Sequence, residues 1–458
     1  MAKDTNPLSA QDVVRSGLCI GCGSCAAQAR GADARMALDR YGELKPAGAA
    51  WLRSRSASLA RTCPFSPAAV DETQLAAALF PDAARGSALV GRFEAAYVGH
   101  VTEAGFREAG SSGGMVSWTA SELLRTGRVD GVAHVAANEE AGGDRLFGYR
   151  LSRSPEEVRA GAKSRYYPVE MSEVIRTIRA TPGRYAVVGV PCFIKAMQLL
   201  RREDPVMRER VAFSLGLFCG HMKSTRLVES FAWQMGIAMD DIARVDYRSK
   251  NPGRPANWYT VRFELRDGRT LQKDWFHLAE GDWGAGFFQN AACNFCDDVV
   301  AETADIAFGD AWVEPYSSDG RGTNVVLVRS PVLARMLADG IREGRLQLEA
   351  VDEDFVERTQ AAGLRQRREG LAYRLTWHRR GMRPRKRVLP AAAALPWRRK
   401  LIYRLRAAIS AWSRRLFRLA RIAGVERWYV QWARRAGAIY HVLAYSQGRL
   451  ARWFGLGA

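Results

Sequence analysis

The chain has 458 residues, 47% of them hydrophobic, enough for roughly two to four domains with cores of their own. Its net charge of +20 is lopsided: residues 379–458 hold 20 Lys/Arg against one acid, Glu426, and the rest is close to neutral. The polar stretch 1–11 lacks an apolar h-region, so the expectation is a cytoplasmic protein without disulfides, in which eight cysteines point to metal or redox work.

Residues 1–75 carry four cysteines and little periodicity, which predicts a loop-rich segment organised by something other than a large core. Residues 93–99 read as a strand, followed by the turn Gly110-Ser111-Ser112-Gly113-Gly114 and a helix from Met115 to Arg125. The same order returns later: a buried strand at 185–189, the turn Val190-Pro191-Cys192, and a helix over 193–201. Residues 211–218 read as another strand ending at Cys219. Residues 258–265 and 270–276 read as a hairpin around Asp267-Gly268, and 304–308 as a short strand before Gly309-Asp310. The mixture predicts an α/β (mixed α+β) catalytic body, with an N-terminal ferredoxin-like iron–sulfur segment and a C-terminal basic amphipathic α-helical tail.

The cysteines fall into two sets of four. Cys19, Cys22 and Cys25 form C-x2-C-x2-C, a spacing that lets three thiolates meet at one centre, and Cys63-Pro64 offers a fourth. Structural zinc also takes four cysteines, but usually from two CxxC knuckles, so three evenly spaced cysteines favour a 4Fe–4S cluster. The other four are Cys192, Cys219 and the pair Cys293-x2-Cys296. Cys192 and Cys219 each follow a strand-like run, and parallel neighbouring strands would bring them to one sheet edge. Read alone, they leave inert buried thiols as the lesser alternative, and the CxxC could be a redox pair or half a zinc site.

Taken in order, these pieces resemble the coenzyme F420 (deazaflavin) hydrogenase/dehydrogenase β-subunit family, which includes ferredoxin-dependent chlorophyll-pathway reductases. The pieces are the Cys19–Cys25 set with Cys63-Pro64, Gly110–Gly114, Lys163-Ser-Arg-Tyr166, Gly189-Val-Pro-Cys192, Phe218-Cys-Gly220, Tyr247-Arg-Ser-Lys250, Cys293-x2-Cys296 and Gly309-Asp310. They cover about residues 15–315. The long gap before Cys63 departs from compact ferredoxin spacing, and the last 80 residues match nothing in the core family.

The resemblance implies FAD beside a 4Fe–4S cluster held by Cys192, Cys219, Cys293 and Cys296, and a second cluster on the N-terminal set. No G-x-G-x-x-G follows a strand, so FAD is not expected in a Rossmann pocket. Gly113 and Gly114 would bring backbone N–H groups and a helix start to the pyrophosphate, with Ser111 and Ser112 as hydroxyl donors. Lys163 and Arg165 would balance phosphate charge and Tyr166 would stack on a ring. Gly189 and Pro191 would lie close to the isoalloxazine, with Lys195 donating to it. Arg248 and Lys250 would meet an acidic substrate or cofactor tail, and His221 would supply a proton. Lys195 and His221 are thus the expected catalytic residues.

The expected organisation is a ferredoxin-like segment at 1–90, an FAD-binding unit at 91–180, a unit with the second cluster at 181–345, a linker at 346–378 and the tail at 379–458. In the tail, Leu401, Leu405, Ile409, Trp412, Leu416 and Leu419 make one apolar stripe among arginines, and Trp428, Trp432 and Trp453 extend the pattern. That pattern suits an anionic membrane surface met through residues 398–435, at the inner face of the membrane. Packing on the body is the rival reading, and nucleic acid the least favoured. The longest uncharged stretch, 436–448, has 13 residues against the roughly 20 needed to span.

The function expected is electron relay between a ferredoxin-type partner, two 4Fe–4S clusters, FAD and a small-molecule acceptor, the enzyme being a ferredoxin- or deazaflavin-linked oxidoreductase. The alternatives are an electron-transfer subunit serving a partner enzyme, or a tetrapyrrole reductase.

Overall fold

The short apolar runs of the sequence become the strands of one eight-stranded mixed sheet. In this computed structural model, residues 6–29, 33–138, 145–378 and 381–446 are described. The strands are β1 (Ala95–Val101), β2 (Gly131–Ala137), β3 (Phe147–Ser152), β4 (Tyr185–Gly189), β5 (Val211–Leu217), β6 (Ile306–Asp310), β7 (Asn324–Val328) and β8 (Leu346–Ala350). Their spatial order is β8-β1-β7-β6-β5-β4-β2-β3.

Strand β4 pairs in parallel with β2 and β5, and β5 in parallel with β6. All five residues of β4, Tyr-Ala-Val-Val-Gly, are buried, as a central parallel strand covered on both faces requires. Its side chains alternate: Tyr185 and Val187 pack with Ile175, Met197 and Leu200, while Ala186 and Val188 pack with Met115, Leu123 and Leu337. Two helices give those two layers, α1 (Met115–Arg125) and α2 (Pro191–Glu203). Pro191 and Cys192, expected in a turn, are instead the first turn of α2; proline at the first helical position has no intrahelical N–H bond to lose.

Strand β7 runs antiparallel to both β6 and β1, so β1 points the same way as β4, β5 and β6. With β2, which is parallel to β4, five strand ends therefore share one edge of the sheet. Gly110–Gly114 lies beyond β1, Cys192 beyond β4, Cys219 beyond β5, and Asp310 ends β6. Sites gather at this edge because the chain must turn there with backbone groups free.

Residues 346–378, expected as a linker, are folded. They form β8 and the helices Glu353–Thr359, α3 (Ala361–Arg367) and Glu369–Leu375. Leu346, Val356, Leu364 and Leu371 are buried, which is why the segment condenses. The expected hairpin is present at Thr260–Leu265 and Thr270–Asp274, within a three-stranded antiparallel sheet.

The tail forms two helices, α4 (Trp397–Ala423) and α5 (Glu426–Tyr445), which pack on the body. Ile402, Ile409, Phe417, Tyr429 and Tyr440 share one core with Val261, Phe263, Trp275 and Phe288. Two tail serines enter this interface: Ser410 donates to the Gln289 carbonyl at 2.9 Å and Ser413 accepts from the Phe288 N–H at 2.9 Å. The expected stripe of α4 is split. Ile409 is buried and Leu405 and Leu416 pack on the core, while Leu401, Trp412 and Leu419 face outward. Phe417 and the small residues Ser413 and Ala420 let the helix approach closely along a neighbouring face. Trp453 lies outside the described residues. Among the described residues, no helix is long and apolar enough to cross a membrane.

Candidate functional site

The first four cysteines line one small cavity. Cys19 and Cys22 sit in a loop whose glycines, Gly21 and Gly23, both take φ of +84°. A Cβ at Gly21 would lie 2.5 Å from the Leu44 carbonyl oxygen, so only glycine lets the loop curl so tightly. Cys25 opens the first turn of the helix Ser24–Gln28, and Cys63 caps the end of the helix Ala57–Thr62. No disulfide joins any pair. Burial pushes the Cys63 thiol up to about 12, and Cys22 is raised by burial and then by Cys63. Four desolvated sulfurs that raise one another in this way stay protonated unless a shared cation stabilises their ionised form.

The other four cysteines line a second, much larger cavity of about 790 Å³ at the sheet edge. Cys192 comes from the first turn of α2, Cys219 follows β5, and Cys293 and Cys296 come from the short helix Ala291–Phe295 and the residue after it. The Cys293 sulfur accepts from the Met222 N–H at 3.3 Å. The Cys192 thiol is raised by burial, then by Cys296, Cys219 and Cys293, and also by Cys22 of the first site. The two sites are therefore neighbours. Tyr149 stands between them: its hydroxyl donates to the Val188 carbonyl at 2.8 Å, its ring stacks on Phe193, and both Cys192 and Cys22 oppose its ionisation. Ile20 and Phe65, walls of the first site, also line the large cavity. Among the described residues, no cluster of His, Cys, Asp or Glu is arranged to hold a single metal ion.

Arg367 of α3 grips this second site. It donates to the Cys293 carbonyl at 2.6 Å, the Cys219 carbonyl at 3.3 Å and the Gly220 carbonyl. Its charge lowers the Cys293 thiol against burial, which leaves it at about 11. Two residues of the tail strap the same loop. Lys386 pairs at 2.9 Å with Asp297, the residue after Cys296, and Arg387 pairs with Glu302. Both carboxylates are essentially buried.

At the far end of the cavity lies the serine–glycine turn. Gly114 takes φ of +86° and opens α1, and a Cβ at Gly113 would lie 2.8 Å from the Gly99 carbonyl oxygen. Ser111 lines the cavity and accepts from the Ser164 N–H at 2.9 Å; Ser112 donates to the Thr323 carbonyl at 3.0 Å. Lys163 lines the cavity at φ of +145°, paired with Asp246 at 3.1 Å. Arg165 lies over the Phe147 ring, and its Nε has no partner among the described residues. Tyr166 joins an aromatic wall with Tyr259, Trp275 and Trp283. Gly189 and Pro191 line the cavity beside Cys192.

Two expected residues sit elsewhere. Lys195 is buried away from the large cavity, paired with Glu72 at 3.1 Å, where its charge acts on both Cys63 and Asp297. On α2 it stands between Cys63 of the first site and Asp297 beside the second. Lys250 supports the turn from behind, donating to the Ser112 carbonyl at 2.7 Å and to the Arg107 carbonyl. Burial and the cations Lys163, Arg107 and Arg248 push it down to about 7. Arg248 lines the cavity but is matched by Asp310 at 2.9 Å and lies over the Tyr259 ring.

His221 lines the cavity, stacked on Trp283 with ring centroids 4.2 Å apart. Burial, Lys223 and Arg406 hold it well below the usual range, so it is neutral. Arg406 faces Nδ1 at 3.4 Å as a donor, which places the proton on Nε2; that atom is buried with no partner among the described residues. Unpartnered donors at Arg165 and His221, in a cavity of ligand size, fit an acceptor-rich anionic molecule.

Several site residues carried no sequence signal. Arg367 lay in a charged run read as linker, and Lys386 and Arg387 in charge read as tail. Lys223 lies 4.7 Å over the Trp283 ring, donates to the Phe287 carbonyl at 2.6 Å, and is pushed down to about 7 by burial.

No curated protein matches the chain in sequence. In fold, it is similar to a chain of the F420-reducing NiFe hydrogenase complex from Methanosarcina barkeri, studied by xenon derivatization. The TM-score is 0.50 at 16% identity, covering 66% of this chain and 99% of that one. Residues 96–176 match the model of the N-terminal part of the coenzyme F420 hydrogenase/dehydrogenase β subunit, and residues 183–354 match its C-terminal part. The two matches take in more than half of the sequence and most of the residues that line the large cavity, and the chain belongs to the coenzyme F420 hydrogenase/dehydrogenase β-subunit family.

Proposed function

We propose that this chain is an iron–sulfur flavoprotein that relays electrons between a ferredoxin-type protein and a small organic acceptor. Cys19, Cys22, Cys25 and Cys63 hold one 4Fe–4S cluster, Cys192, Cys219, Cys293 and Cys296 hold a second, and FAD takes the large cavity. One observation carries the reading: the eight cysteines, with none left over, line two adjoining sites in two sets of four, and one set walls the cavity. Bound there, the clusters exchange single electrons and the flavin stores two.

The residues divide the work. Tyr149 and Phe193 fill the space between the two sites and keep water out. Gly113 and Gly114 bring bare backbone to the pyrophosphate, with Ser111 and Ser112 beside it, and Arg165 and Lys163 balance its charge. Gly189 and Pro191 border the ring system, and Tyr166 adds an aromatic face. His221 donates a neutral Nε2–H bond. Arg248, already neutralised by Asp310, offers a cation over an aromatic wall rather than a free charge. Lys195 and Lys250 are positioning groups, the first between the two cysteine sites and the second behind the turn.

The likeness to a chain of a multi-subunit hydrogenase complex supports a relay role inside an assembly. Anaerobic purification tests the reading. About eight irons and one flavin per chain are expected, since each cubane holds four. A Cys293→Ser variant should lose about half the iron. Full iron retention in that variant, or a colourless zinc protein, would sink it.

A further inference from the structure

Packing of the tail on the body leaves an outward face on α4. Among the described residues, eleven large hydrophobic side chains are exposed, and nine of them lie in residues 389–445. Five are on α4: Trp397, Leu401, Trp412, Leu419 and Ile422. Their spacing places them along one side of the helix, about 38 Å from end to end. Arg404 and Arg415 fall on the same side, and Arg415 lies 5.3 Å over the Trp412 ring. On α5, Trp428, Ile439, Arg434 and Arg435 are also exposed.

We infer that this outward face of α4, flanked by α5, docks the protein on an anionic lipid surface, lying in the interface rather than crossing it. Three observations select lipid. Large apolar side chains recur at intervals of about one to three turns, and they gain only where an apolar medium is within reach. Tryptophan and arginine interleave with them, the pair of side chains that suits the boundary between headgroups and acyl chains. The only acid in residues 379–458 is Glu426, so the face complements anionic headgroups and repels a second copy of itself. A phosphate backbone would satisfy the arginines but leave Leu401, Leu419 and Ile422 in water. The inward residues Ile409, Ser413 and Phe417 take no part, because the body already covers them.

The test uses the full chain and an outward triple variant, Trp412→Ser with Leu419→Ser and Ile422→Ser. All three side chains are exposed, so the fold should survive, which an unchanged melting temperature verifies. The native chain should float with vesicles of phosphatidylcholine and phosphatidylglycerol and not with phosphatidylcholine alone. The variant should bind about ten-fold more weakly or worse. Equal flotation of the two proteins, or no flotation of the native chain, overturns the proposal. A native dimer that becomes monomeric in the variant, without lipid binding in either, overturns it too and assigns the face to a second copy.

Discussion

The two four-cysteine sites are built by opposite means. The first is local: three thiols lie within seven residues, and two left-handed glycines bend the loop around them. The second is assembled from the ends of two parallel strands and a CxxC loop far away in sequence. It is then held by Arg367 from α3 and by Lys386 and Arg387 from the tail. A short-range site needs only loop geometry, whereas a long-range one needs the whole sheet and spreads its support over distant segments. The tail is therefore structural as well as basic, and removing residues 380–458 would take Lys386 and Arg387 from Asp297 and leave Glu302 with Arg368 alone.

A perturbation aimed at one site should leave the other alone, and three variants press on that difference. The largest effect is expected from Lys386→Met. It leaves Asp297 buried beside Cys296 with Arg387 at 3.7 Å and the charge of Lys195 beyond it. Unfolding stability should fall by about 3 kcal/mol, the low end for unpairing a buried charge because Arg387 remains. Denaturant titration measures the loss, and any iron lost should come from the second site alone. Next is Arg367→Gln, which abandons three carbonyls at a cost of about 1–3 kcal/mol. Removing this cation should also shift the midpoint potential of one cluster to more negative values, read by spectroscopically monitored redox titration. Full iron with unchanged potentials would show that the Arg367 charge does not reach the cluster. The smallest global effect is expected from Gly21→Ala. The left-handed backbone costs roughly 1–2 kcal/mol with a side chain, and the added carbon must displace the Leu44 carbonyl. Iron loss confined to the first site is the expected result; loss from both sites would mean the two are not independently built.

Much of the sheet was legible. The apolar run at Tyr185–Gly189 and the helix Met115–Arg125 stand where periodicity put them, because buried strands and amphipathic helices write their environment into residue spacing. The linker expectation failed at 346–378, where short helices bury one or two residues each and leave too weak a period to see. Lys195 shows a different limit. Its place in α2 was legible, but which groups its side chain meets depends on how the helix is rotated on the sheet.

What the sequence determined by itself is the inventory and the short-range geometry. Eight cysteines, the C-x2-C-x2-C loop, the serine–glycine turn and the apolar strands follow from local spacing. Tertiary structure alone decided three things: that β1, β4, β5 and β6 end at one edge, that Arg367 and Lys386 reach the second site, and that α4 turns Ile409 and Phe417 inward. The reason is physical. Local pattern reports how a residue alternates about its own element, and α4 carries apolar groups around more of its surface than one neighbour covers. Only the close approach allowed by Ser413 and Ala420 chose the buried side, and that choice left Trp412, Leu419 and Ile422 facing out.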